Sequence, residues 1–342
     1  MSLISRIELR SPYLILVGEE KQPTFAKTGL GIVQWRRGRV VGQLRLSPDA
    51  VDLGVPDMDV HAAADAGAGS LVIGVAPPGG AIPDSWWAVM QAAATAGLDV
   101  VSGLHTRLAG NEGLVLAAEA SGARLIDVRT PPPNLPVGSG RRRSGRRILT
   151  VGTDCAIGKK YTALALDEAF RAAGLESTFR ATGQTGIIIA GEGMPIDCVG
   201  ADFIAGAAEV LSPDNEPDHW DVIEGQGSLF HPAYSGVSLG LLHGSQPDGF
   251  VLCHEAGRQT VSGWPDFRLP ELDEAIALHE RLARRTNPAA RCVGISVNTS
   301  GLAPGERDGY LETLRSRHGV PAVDPLIDGC ESLVRFVRES LG

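Results

Sequence analysis

Residues 148–162, Ile148-Leu-Thr-Val-Gly-Thr-Asp-Cys-Ala-Ile-Gly-Lys-Lys-Tyr-Thr162, constrain the fold more than any other stretch. The apolar run Ile148–Val151 reads as a strand. Gly152 ends it, small residues lead to Gly158, and Lys159 and Lys160 open a stretch with helical spacing. Strand, glycine-bounded loop, lysine and helix together form a phosphate cradle. Loop amides point inward, the helix N-terminus adds partial positive charge, and the lysine reaches over the phosphates. The expected ligand-binding set is therefore Gly152, Thr153, Asp154, Cys155, Ala156, Ile157, Gly158, Lys159, Lys160 and Tyr161.

Two details depart from the usual G-x-x-x-x-G-K-[ST]. The glycine spacing is one residue longer, and Lys160 stands where a Ser or Thr normally holds magnesium. A ligand held by its phosphates, with no metal ligand, is the expectation.

The chain has 342 residues, enough for two domains. Forty-three glycines and only 5% aromatics suit many tight strand-to-helix turns, hence an α/β fold. The formal charge of −9 argues against general nucleic-acid binding, which needs a basic face. Five dispersed cysteines without a C-x-x-C pair read as reduced thiols. The first residues, Met-Ser-Leu-Ile-Ser-Arg, lack the apolar core of a signal peptide, and no apolar run approaches the ~20 residues of a membrane helix. A cytoplasmic homo-oligomer with no membrane partner is expected.

Residues 1–130 predict a Rossmann-like domain. Tyr13–Val17 and Arg39–Leu44 are β-rich, and Lys27-Thr28-Gly29-Leu30-Gly31 between them reads as a plain turn, with a small phosphate loop as the alternative. Beyond residue 57, helices His61–Gly67, Asp84–Ala96 and Asn111–Ser121 alternate with strands Ser70–Ala76, Val100–Leu104 and Arg124–Val128. Such alternation indicates βαβ units and a parallel sheet. Ligands collect beyond the C-terminal strand ends of these sheets. His105 and Arg107 there either face a ligand or are loop residues; Pro77-Pro78-Gly79-Gly80 lacks the G-x-G-x-x-G of an NAD site. Residues 131–147, with Pro131, Pro132, Pro133, Pro136 and five arginines, read as a stiff, solvated linker.

The P-loop domain is expected over residues 148–342, with a final helix pair after Pro304. Polar residues gather at its predicted strand ends: Thr153 and Asp154, Gln184 and Thr185, Glu224, His254 and Asn298. Together they suggest one site. Glu224 either orients a metal or water beside the phosphates or caps the turn at Gly225. His254 and, in competition, His231 are candidate general bases, each with a structural alternative. Arg258 either pins a carboxylate or pairs with Glu255. Cys155 is either an activated thiol or a small filler.

The order Gly152-Thr-Asp-Cys-Ala-Ile-Gly-Lys159, Gln184-Thr185-Gly186, Val222-Ile-Glu224-Gly-Gln-Gly and Asn298 resembles dethiobiotin synthetase over roughly residues 148–300. That resemblance implies ATP with magnesium and an adenine-reading Asn298, but Lys160 replaces the family's magnesium-binding threonine. Nearly the whole chain resembles the D-glutamate N-acetyltransferase family, through the Gly-Thr-Asp-Cys-Ala-Ile-Gly-Lys-Lys loop, Gly183-Gln-Thr-Gly186, Ile223-Glu-Gly-Gln-Gly-Ser-Leu229 and His231-Pro232. These are two-domain P-loop proteins, long catalogued as a domain of unknown function. The resemblance implies acetyl transfer from acetyl-CoA to the amine of an acidic amino acid, with the P-loop on the CoA phosphates. Gln184, Thr185, Gly225, Gln226, Ser228 and Arg258 are then the expected substrate-binding residues, and amides of Gly225–Ser228 the expected oxyanion donors. The alternatives are an ATP-dependent ligase or kinase and a nucleotide-binding regulator without turnover.

Overall fold

The computed structural model describes residues 5–303 and 305–342, so Pro304 lies outside the described residues. In chain order, the first half contains β1 (Ser5–Arg6), β2 (Tyr13–Gly18), α1 (Lys27–Arg36), β3 (Val40–Arg45), α2 (Val60–Asp65), β4 (Ser70–Ile73), α3 (Asp84–Thr95), β5 (Asp99–Ser102), α4 (Glu112–Ser121) and β6 (Leu125–Asp127). Next come β7 (Arg146–Gly152), α5 (Lys159–Ala172), β8 (Ser177–Arg180), α6 (Gln184–Ala190), β9 (Glu192–Gly193), α7 (Ile204–Leu211), β10 (Trp220–Ile223) and α8 (Ser235–Ser245). Then follow β11 (Gly249–Glu255), β12 (Thr260–Val261), β13 (Trp264–Arg268), α9 (Leu272–Ala283), β14 (Arg291–Asn298), α10 (Arg307–His318), β15 (Ala322–Val323) and α11 (Glu331–Leu341).

The chain divides into two compact units. One comprises Ser5–Thr130 with Gln184–Pro195, the other Pro131–Gly183 with Ile196–Gly342. Residues 184–195 thus return to the N-terminal unit, which no local sequence signal announces. There β9 pairs antiparallel with β1, and Arg36 Nε donates to the Ile189 carbonyl at 3.1 Å, tying α6 to α1.

The N-terminal unit holds a parallel sheet in the order β3-β2-β4-β5-β6. Leu14–Val17 and Leu71–Ile73 are fully buried, as continuous apolar strands covered on both faces should be. Asn111 caps α4 by accepting from the Leu114 amide at 2.9 Å. The segment Lys27–Gly31, expected as a turn, instead forms the first turns of α1. Gly29 allows this. Its amide donates to the Gly74 carbonyl at 2.6 Å, and a Cβ there would fall 2.8 Å from a Leu53 methyl.

The second unit is a six-stranded parallel sheet, β15-β14-β11-β7-β10-β8. Successive strands leave β7 in both directions, so the loop after β7 opens at the topological switch point, where ligands bind in such sheets. Residues 131–147 correct the solvated-linker expectation in part. Arg143 and Arg147 are buried, 6% and 1% exposed. Arg147 Nε donates to Ser212 Oγ and its other nitrogens to the carbonyls of Arg143, Gly145, Ser144 and Pro213. Arg143 holds the Ser212 and Gly244 carbonyls, both at 2.7 Å. A guanidinium's five fixed donors satisfy carbonyls left over at helix ends, and that repays its burial. Helix α8 and the β12–β13 hairpin had no periodic signal strong enough to mark them.

Candidate functional site

The P-loop is built by backbone geometry. Ala156 (φ 54°) and Gly158 (φ 107°) both lie in the left-handed region. Holding alanine there costs on the order of 1 kcal/mol. At Gly152 the packing is close: a Cβ would lie 2.6 Å from Ile157 Cδ1 and would displace that methyl. Helix α5 begins at Lys159, directly behind the loop.

Lys159 is buried and donates from Nζ to the Asp154 carbonyl at 2.6 Å. Burial lowers its pKa, and the nearby Cys155, Cys253 and Asp154 oppose that shift. Lys160 lies with Nζ 4.3 Å from the centre of the Tyr161 ring, a cation–π contact. The first Ser or Thr hydroxyl on the same helix, Thr162 Oγ1, donates to the Gly158 carbonyl (3.1 Å) and shares a hydrogen bond with Ser296 (2.7 Å). It therefore does not replace the missing metal ligand.

Asp154 is fully buried and organises the loop's outer wall. One carboxylate oxygen accepts from the Cys155 amide (2.6 Å), the other from Arg258 and the Ser262 amide (both 2.8 Å). Arg258 also donates to the Cys155 carbonyl and to Glu255 (2.6 Å). Its terminal nitrogens are thus engaged by two carboxylates of this chain. The arrangement is a latch joining the β11 end, the β12–β13 hairpin and the P-loop, and both readings of Arg258 must start from it. Asn298 is engaged locally as well: Nδ2 faces Glu255 at 3.5 Å and Oδ1 accepts from the Ser300 amide.

Glu224 sits at the end of β10, 3% exposed. Oε2 accepts from the amides of Thr182 (2.9 Å) and Gly183 (3.1 Å), and its carbonyl accepts from Thr182 Oγ1. Burial raises its pKa; the two amides and Lys160 pull the other way. The turn it caps is Thr182–Gly183, rather than Gly225. Gly225 itself donates to Thr150 Oγ1 at 2.9 Å, so its amide is not an available oxyanion donor. Gln226 Nε2 donates to Thr182 Oγ1, and Ser228 Oγ donates to the Thr153 carbonyl, both at 3.0 Å. Gln184 and Thr185, grouped by sequence with these residues, belong to the N-terminal unit.

The two histidines differ in chemistry. His254 is buried, with Nδ1 3.3 Å from Thr153 Oγ1. Burial, aided by Arg258, drops its pKa to about 4, so the ring is neutral at physiological pH. His231 is buried against Tyr234 (4.4 Å, stacked) and Trp264 (4.6 Å, edge-on). Its Nδ1 accepts from the Ala233 amide at 3.1 Å. In the neutral ring, which burial favours, Nε2 then carries the hydrogen. As placed, His231 thus presents Nε2–H as a hydrogen-bond donor.

Asp154, Cys155 and His231 bring potential ligand atoms within 4.8 Å of one another. A cation does not suit them. The Asp154 oxygens already face a guanidinium and two amides, and the His231 lone pair is committed. Among the described residues no helix is long and apolar enough to cross a membrane.

Comparison with known proteins places this geometry in a family. Residues 136–334 match the "Domain of unknown function (DUF1611_C) P-loop domain" and residues 43–131 the "Domain of unknown function (DUF1611_N) Rossmann-like domain". A Tritonibacter scottomollicae protein named D-glutamate N-acetyltransferase is 48% identical over 326 residues, covering 95% of this chain and 98% of that protein. A protein of the same name from a Pseudoalteromonas species is 43% identical, covering 96% and 99%. The crystal structure of a DUF1611 family protein from Anabaena variabilis superposes with a TM-score of 0.88 at 36% identity, over 96% of this chain and all of that one. The chain belongs to the DUF1611 family, in which a Rossmann-like N-terminal domain precedes a P-loop C-terminal domain.

Proposed function

We propose that this protein is a D-glutamate N-acetyltransferase that takes its acetyl group from acetyl-CoA. The near-full-length relatives of that name support the reaction. The observation that carries the donor is the pair Lys159–Lys160 at the mouth of α5, without a hydroxyl for magnesium. Bound acetyl-CoA would supply an activated thioester carbonyl. The loop amides, the α5 N-terminus and both lysines would hold its diphosphate as fixed positive charge, so no metal is needed. Lys159 exchanges its bond to the Asp154 carbonyl for a phosphate oxygen, and the buried Asp154–Arg258 latch keeps the loop open to that exchange.

This assignment also sets where the acyl chemistry takes place. The pantetheine arm has about four peptide lengths of chain and spans about 15 Å when extended. A diphosphate in the loop therefore puts the reacting carbon well away from Glu224, His254 and His231. Those residues shape the cradle: Glu224 caps the Thr182–Gly183 turn, His254 braces Thr153, and a ring nitrogen of His231 lies within 4.8 Å of Asp154 and Cys155. ATP-dependent ligation is the weaker reading, because Lys160 and the engaged Thr162 leave the loop without its metal ligand.

The test is thiol release from acetyl-CoA with a panel of D- and L-amino acids, with and without magnesium, and with Lys159→Ala as control. Magnesium-independent release with D-glutamate, lost in the variant, is expected. Formation of ADP from ATP, with no CoA binding, would sink the proposal.

A further inference from the structure

Aromatic residues make up only 5% of the chain, yet Tyr234 and Trp264 stand with His231 beside the P-loop, in a cluster that phosphate binding leaves unused. A ring nitrogen of His231 lies within 4.8 Å of the Asp154 carboxylate and the Cys155 sulfur. Tyr234 stacks on His231 at 4.4 Å and 29°, and Trp264 meets the same imidazole edge-on at 4.6 Å and 74°. Tyr234 and Trp264 are 6.2 Å apart at 81°, so the two rings wall a corner that is close to a right angle. His231 at its apex is 1% exposed, whereas Tyr234 is 46% exposed and Trp264 half-buried. With one face of Tyr234 covered by His231, its open surface is the other face and the hydroxyl edge.

Both segments that build the corner are tied down at the P-loop or beside it. Trp264 opens β13, and the turn before it is held where the Ser262 amide donates to Asp154 at 2.8 Å. Tyr234 precedes α8; its carbonyl accepts from the Ser238 amide, and Ser238 Oγ donates to the Gln226 carbonyl at 2.7 Å. Gly227 makes room for this packing, since its φ is +63° and a Cβ would lie 2.7 Å from the Tyr234 carbonyl oxygen. Rings locked in this way lose little freedom when a ligand arrives.

We propose that the corner of Tyr234 and Trp264 is a base-stacking site that takes the adenine of the ligand whose diphosphate the P-loop holds. The inference rests on the proposed phosphate-held ligand; acetyl-CoA meets it with its adenosine diphosphate half. Distance supports the pairing. Covalent geometry holds an adenine about 10 Å from its diphosphate, and Trp264, one ring beyond His231, lies about that far from the loop atoms. Chemistry supports it too. A purine has a π-face to lay on a ring, whereas the pantetheine arm is a flexible chain without one. Asn298, the residue that the likeness to dethiobiotin synthetase gives to adenine, has both ends of its amide facing Glu255 and Ser300.

The experiment titrates full-length wild type, Tyr234→Ala, Trp264→Ala, Trp264→Phe and Asn298→Ala calorimetrically with ADP and, separately, with pyrophosphate. Tryptophan fluorescence and KM for acetyl-CoA are measured alongside. Tyr234→Ala and Trp264→Ala are each expected to raise Kd for ADP and KM for acetyl-CoA by about 5- to 100-fold, with Kd for pyrophosphate unchanged. ADP but not pyrophosphate is expected to quench wild-type emission, and Trp264→Phe to keep ADP binding while losing the quench. ADP affinity equal to wild type in both alanine variants overturns the inference. So does an equal loss for ADP and pyrophosphate, which marks the rings as scaffold for the loop. Weakened ADP binding in Asn298→Ala alone puts the base at the end of β14 and overturns it as well. A wild type that binds ADP through these rings but releases no thiol from acetyl-CoA refutes the acetyl-transfer reading and leaves the stacking site standing.

Discussion

Replacing Gly225 with alanine is expected to be among the most disruptive small changes in the P-loop unit. An added Cβ would sit 1.7 Å from the Thr150 carbonyl oxygen and 2.8 Å from its carbon. That contact must open by roughly 1.5 Å to reach ordinary van der Waals separation. Strand β7 cannot supply the movement. It is central, with Thr150 in register with Val251 on one side and Leu149 with Ile223 on the other. The displaced partner must be the Gly225 turn, which then loses its bond to Thr150 Oγ1 and shifts against Lys159 Cδ. Overpacking costs about 1–3 kcal/mol, and a lost buried hydrogen bond adds about 1–2 more. At roughly 3 °C per kcal/mol for a unit of this size, melting should fall by about 6–15 °C. Gly174→Ala is the comparator: its φ is +75° but nothing lies within 4 Å, so only backbone strain of about 1 kcal/mol is incurred. Differential scanning calorimetry distinguishes the two. A Gly225→Ala protein melting within about 3 °C of wild type would refute the close-approach argument.

Other perturbations follow from the same geometry. Because burial raises the Glu224 pKa, its contribution is greatest when protonated and is lost as pH rises through the folded value. Glu224→Gln keeps an oxygen for the Thr182 and Gly183 amides, so its urea midpoint should exceed wild type at pH 8 and converge with it at pH 4; a deficit at pH 8 contradicts this. His254 and His279 both have pKa values lowered to about 4 by burial, so their contribution is full above the unfolded value near 6.5. It is lost below that, by about 3 kcal/mol each at pH 4; urea titrations at pH 7.5 and 4.5 should show the loss, and His279→Phe should reduce it. Arg147→Met leaves the Gly145, Ser144 and Pro213 carbonyls without their guanidinium donor and should cost about 3–5 kcal/mol by chemical denaturation.

The expectations from sequence succeeded where chemistry is local and periodic. The P-loop, the strands Tyr13–Gly18 and Arg146–Gly152, and the Asn111 cap are each decided within a few residues, by apolar runs, glycine punctuation and a short acceptor side chain. Lys160 was legible in the same way, as a lysine where a hydroxyl belongs. The start of α1 reads as a turn in the sequence because Gly29 serves contacts with Gly74 and Leu53, both far along the chain. Arginine is usually exposed, so the sequence points Arg143 and Arg147 to solvent; the Ser212, Pro213 and Gly244 carbonyls that help to bury them lie about 65 to 100 residues away.

Roles at the site depended still more on tertiary structure. The sequence alone determined two parallel α/β units and a phosphate-binding loop with no metal hydroxyl, because both follow from residue order. Only the folded chain decided that Arg258 is latched to Asp154, that His231 presents a donor, and that Gln184 joins Arg129 in the N-terminal unit. Each of these is a hydrogen bond between residues brought together by packing, except the His231 tautomer. That one spans two residues, yet it depends on a loop conformation that no composition rule prescribes.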